Sequence, residues 1–228
     1  SSAASDVYKR QTISYILNFL GIIFERYMMN QVETKQKKSI YHIFVWIAIF
    51  SLVMIGLLEW GYMAGGRAFG NYKVYTGLVP WCVWIVMTYL TTRPKWFTSR
   101  YNLGDMYKVH RALGIATVAV IAFHLYLYFG KAAKSILGWW GGYVALTSFG
   151  IATISGLAFL TPKLRKVTPS GRNVGIWLHR LNLVALVAAD IHIHGFNRIS
   201  KMVPFLQVFD IITYGLVLYC IYLIFKKK

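Results

Sequence analysis

Apolar positions in this chain do not alternate with polar ones. They gather into six blocks: Ile40–Tyr62, Val74–Thr92, Val109–Phe129, Trp139–Leu160, Ile176–Phe196 and Val203–Phe225. Each is close to the roughly 20 residues that a helix needs to cross the hydrocarbon core of a bilayer. A helix that is apolar around its whole circumference belongs in lipid or in a large core. The pattern predicts an all-α membrane protein, a bundle of six transmembrane helices. A seventh apolar stretch, Thr12–Phe24, is short of a full span.

Composition agrees with the pattern. The 228 residues are 57% hydrophobic and only 14% charged, with a mean hydropathy of +0.50. Soluble domains carry about 25% charged residues. The six blocks and their connections fill residues 40–228, which leaves no room for a soluble nucleotide-binding domain of roughly 100 residues. No FAD or NADPH site is therefore expected in this chain. The chain divides into three parts. Ser1–Gln11 reads as a sequencing or cloning scar, because Asp6–Gln11 back-translates to a library transposon end. Residues 12–39 form a partial apolar segment followed by a basic stretch. Residues 40–228 form the six-helix domain. Cys82 and Cys220 lie inside apolar blocks, and no Cys-x-x-Cys-His is present for covalent haem attachment.

The net charge of +18 reads as membrane topology before nucleic-acid binding. The stretch before the first span, the connections after the second and fourth, and the C-terminal tail hold 17 Lys and Arg, against 6 on the opposite side. The positive-inside rule puts the richer side, with both ends of the six-helix unit, in the cytoplasm. The expected location is a multi-pass cell membrane protein, bacterial in type. Pro80, inside the second span, predicts a kink. The fourth span is rich in small residues, among them Gly141, Gly142 and Gly156. These admit close approach of a helix or of a flat ligand.

Five of the six histidines fall in the third and fifth spans. Ligating or ionisable groups within a membrane are costly and usually functional. His110 and His124 are 14 positions apart, and His179 and His192 are 13 apart. That is about 20 Å along a helix rising 1.5 Å per residue. Both spans run in the same direction, so His110 and His179 share one depth and His124 and His192 another. Two such pairs can hold two six-coordinate b-type haems stacked across the bilayer, since neutral imidazole is a common axial ligand. On a straight helix, however, 13 residues turn to the far face and 15 to about 60°. Geometry alone thus favours His194 as the partner of His179. Arg111 and Arg180 follow the inner histidines and suit either propionate carboxylates or topology anchoring. His42 reads as interfacial. Glu59, Asp190 and Asp210 lie toward the outer face. They could line an acceptor pocket, relay protons to a quinone or simply make polar contacts within the bundle.

The segments HRALGI…H from His110 and LHRLNL…H from Leu178 resemble the ferric-reductase-like transmembrane domain. That family includes NADPH oxidases, ferric reductases and the haem membrane subunit of periplasmic methionine sulfoxide reductase systems. The resemblance covers most of residues 40–225. It implies haem ligands at His110, His179, His124 and His192, with His194 as substitute ligand or propionate partner. It also implies electron transfer from a flavoprotein or quinol to ferric iron, a partner protein or oxygen. The chain would then be the haem-bearing component of an oxidoreductase that needs a separate donor. Two other readings stand beside it: the membrane half of a truncated NADPH oxidase-type flavocytochrome, and a His-lined metal transporter. Transporters gather ligands near the midplane, whereas these histidines lie at two depths.

Overall fold

A computed structural model of the chain describes residues 40–66, 72–128, 135–159, 171–196 and 199–226. The expected scar and the partial segment at residues 12–39 lie outside them. The described residues form eight helices and no strand: α1 (His42–Ala64), α2 (Tyr72–Thr91), α3 (Lys95–Thr98), α4 (Leu103–Tyr128), α5 (Ile136–Phe159), α6 (Gly171–His179), α7 (Leu181–His194) and α8 (Val203–Lys226). Six helical stretches are long and apolar enough to span a membrane, with α6 and α7 together making the fifth. Their outward faces carry large exposed apolar side chains such as Trp46, Leu52, Ile154, Ile211 and Leu218. In a helix bundle these are the positions that meet lipid.

Several boundaries differ from the hydropathy blocks. The third span begins at Leu103 rather than Val109. Its first turns are polar and raise no apolar signal, but the Asn102 side chain accepts the Gly104 N–H at 2.9 Å, an N-terminal cap. The fourth begins at Ile136 rather than Trp139. Helix α2 continues through Pro80. Past its end, Arg93 takes a left-handed backbone, φ 57°, and Pro94 then opens α3. This connection is anchored by Phe97, only 1% exposed, which stacks on Tyr101 with ring centroids 4.7 Å apart. The Arg93 guanidinium donates to the Tyr107 hydroxyl. Phe97→Ala should cost about 3 kcal/mol and sharpen protease cleavage between residues 92 and 103. Unchanged cleavage would show that the ring does not hold the connection.

The main core lies among α1, α2, α7 and α8, where Met54, Leu58, Leu78, Trp81, Leu186, Phe205 and Phe209 meet. Trp81 stacks on Phe209 with centroids 4.0 Å apart. Helices α6 and α7 pack extensively on α5, and α4 packs on α2. No comparable packing joins α4 to α5, α6 or α7. Along its 26 residues α4 buries only Met106, Val109 and Thr117. Among the described residues, the two histidine-bearing spans therefore share little direct packing.

Candidate functional site

The candidate histidines lie on these two spans. At one end the His110 and His179 rings face each other with centroids 5.9 Å apart and planes at 71°. An iron held by two imidazole nitrogens at about 2 Å each separates the ring centroids by about 6 Å. Toward the other end, the His124 ring lies against Gly77 of α2 and the His192 ring against Gly142 of α5. The structure thus brings together His110 with His179.

The hydrogen bonds on the rings set which nitrogen is free. His179 donates through Nδ1 to the Ala152 carbonyl at 2.9 Å. His192 donates through Nδ1 to the Gly138 carbonyl at 2.6 Å. Nδ1 of His124 lies 2.9 Å from the Thr76 hydroxyl oxygen. That hydroxyl spends its own hydrogen on the Lys73 carbonyl, so it accepts from the ring. A carbonyl cannot donate, so each of these imidazoles carries its proton on Nδ1 and keeps the Nε2 lone pair free. Metal-bound histidines are commonly oriented in this way by a partner on the other ring nitrogen. His110 differs: its Nδ1 is buried without a partner.

Glycines make room for the rings. A Cβ on Gly77 would come within 3.0 Å of the His124 ring, one on Gly142 within 2.8 Å of His192, and one on Gly156 within 3.1 Å of His179. Gly142 and Gly156 are 14 positions apart on α5, which mirrors the spacing of the histidines they face. Three imidazoles with free Nε2 atoms and a fourth with an orphaned ring nitrogen are a donor set that suits iron-bearing macrocycles.

His194 goes elsewhere. Its Nε2 lies 3.3 Å from an Asp210 carboxylate oxygen, on the side of α8, whereas His192 points at α5. The rotation counted on a straight helix does not apply directly, because the span is not one helix. Arg180 interrupts it between His179 and His192: its N–H is shared between the Ile176 and Trp177 carbonyls at 3.1 Å, and the Leu183 N–H reaches back only three residues, to Arg180. The turn per residue changes there. His179 and His192 consequently both reach α5.

Arg180 stacks its guanidinium over Trp177 at 4.3 Å from the ring centre, and Arg111 is exposed. Of the three acids, Glu59 accepts the Tyr75 hydroxyl and lies apart from the other two. Asp190 accepts the Tyr214 hydroxyl at 2.7 Å. The sequence reading overlooked Thr76 and Gly77, because neither residue type signals a role without the fold. It did single out the glycines of the fourth span, whose 14-residue repeat is the one legible trace of the ring-facing positions. Compared with known family models, curated proteins and solved structures, the chain matches none.

Proposed function

We propose that this protein conducts electrons across a membrane through two b-type haems, one between His110 and His179 and one between His124 and His192. The observation that carries the reading is the common orientation of the imidazoles. Nδ1 of His179, His192 and His124 is bound to Ala152, Gly138 and Thr76, which leaves Nε2 free to ligate. A haem bound at each end would supply a one-electron iron centre whose potential depends on axial ligands, hydrogen bonding and burial. The chain's own part is to hold the imidazoles in one tautomer. Gly77, Gly142 and Gly156 let those rings lie against their helices. Arg111 and Arg180 sit next to the ligands in sequence and suit carboxylate partners at the His110 end.

The reading extends to sidedness. With 17 of the Lys and Arg on one face against 6 on the other, the His110 end faces the cytoplasm of a bacterial cell. A flavoprotein or quinol donates there, and an acceptor outside the membrane, ferric iron or a partner protein, is reduced near His124. The basic cytoplasmic connections favour an acidic donor and a coupling that weakens as salt rises. The resemblance to the ferric-reductase-like family supports the same assignment.

The test is a pyridine haemochrome assay on the full chain, expressed with haem supply and purified in detergent. The expected result is about two non-covalent haems per chain with a bis-imidazole spectrum. In proteoliposomes these should be reduced by a donor on the His110 side and reoxidised by an impermeant ferric complex on the other. Protein that carries no haem overturns the proposal.

A further inference from the structure

Helix α7 has a second chemical face. Asp190 and His194 are four residues apart and so lie on the same side of the helix. His192, between them, points the opposite way, to Gly138 of α5. Across from the first pair, α8 presents Asp210. One ligating atom from each of Asp190, His194 and Asp210 lies within 4.8 Å of the other two.

Two carboxylates this close require an explanation. Asp190 is 2% exposed. One of its oxygens accepts from Tyr214 at 2.7 Å, while the other, Oδ1, is buried with no hydrogen-bond partner. Asp210 also has a buried oxygen without a partner. Among the described residues no Lys or Arg pairs with either acid; their only ion-pair partner is His194, on Asp210. Asp210 is itself about one-third exposed, but a buried carboxylate such as Asp190 in a membrane protein is expensive unless a positive charge or a proton compensates it.

We propose that Asp190, His194 and Asp210 form a binding site for one divalent transition-metal ion, which clamps α7 to α8. One imidazole nitrogen and two carboxylate oxygens suit Mn2+, Fe2+ or Zn2+. Neighbouring ligand atoms on such an ion, each at about 2.1 Å, stand roughly 3.0–3.5 Å apart. The His194 to Asp210 separation of 3.3 Å has that value, and Asp190 needs only a short movement to complete the set. Tyr214, one turn beyond Asp210 on α8, holds the second oxygen of Asp190 and orients it, as partners of liganding carboxylates do. This site is separate from the histidine pairs and does not depend on haem binding.

The experiment uses the full chain in nanodiscs, stripped with chelator and titrated with Mn2+, with the free ion read by electron paramagnetic resonance and Zn2+ as competitor. Wild type should take up one Mn2+ per chain in a saturable, Zn2+-displaceable way and should melt at a higher temperature when loaded. Asp210→Asn and His194→Gln should each weaken binding about tenfold or more and abolish the thermal shift, while keeping the haem content of wild type. Haem-free wild type that still binds Mn2+ would support this site while overturning the electron-transfer reading. Wild type without saturable uptake would overturn the site and leave a shared proton as the compensation for the two acids. So would uptake that both variants leave unchanged.

Discussion

If the chain binds two haems as proposed, removal of His110 and His179 together should abolish one and leave the other, halving the Soret absorbance per chain. His124→Ala with His192→Ala should abolish the second. An iron that loses both proposed imidazoles would retain no strong protein ligand at that site. Single changes at His110 or His179 should bring loss or a shift to a five-coordinate spectrum at the same end only. The discriminating comparison is His192→Ala against His194→Ala. His192 keeps its Nε2 free because Gly138 holds its Nδ1, whereas His194 is engaged with Asp210. His192→Ala should therefore lose haem, and His194→Ala should keep it while losing Mn2+ affinity. If His194→Ala alone loses haem, the assignment of the outer ligand is wrong and the straight-helix argument holds.

The six spans and their approximate limits were legible in the chain, because long apolar runs are one-dimensional signals. What failed was phase. The turn from His179 to His192 was reckoned on an unbroken helix, and the interruption at Arg180 leaves no mark in residue type, since neither Gly nor Pro is present there. Start positions failed for a related reason. The early turns of α4 are polar, and only the Asn102 cap tells helix from loop. The association of Asp190, His194 and Asp210 needed the packing of α7 on α8. The i, i+4 spacing of the first two was visible, but nothing in the sequence says which helix faces them. The Nδ1 partners were least legible of all, because two of the three are backbone carbonyls, which every residue has.

The second large effect is expected at Gly141, and it does not depend on any cofactor. Helices α5 and α7 approach almost backbone to backbone. A Cβ on Gly141 would lie 2.7 Å from the His192 nitrogen and 2.9 Å from the Ala188 carbonyl oxygen. One on Gly138 would lie 2.9 Å from the Gly195 Cα. These neighbours are main-chain atoms of a helix and cannot swing aside as a flexible side chain can. Small residues of this kind let membrane helices pack closely by van der Waals contact, where the hydrophobic effect between helices is absent. Gly141→Ala must therefore push α7 away from α5 or strain both, at a cost of about 3 kcal/mol, the upper end of usual overpacking penalties. Gly150→Ala on the same helix is the control, since its Cβ would meet nothing within 4 Å and Ala is the better helix former by about 1 kcal/mol. Gly142→Ala should fall between them. Its Cβ would lie 2.8 Å from Nδ1 of His192, a ring that can turn only by giving up the Gly138 carbonyl. That variant should fold but lose the haem proposed between His124 and His192. Thermal melts in detergent read the ranking, and Gly141→Ala as stable as Gly150→Ala would mean that α5 and α7 stand further apart than the contact between their glycines requires.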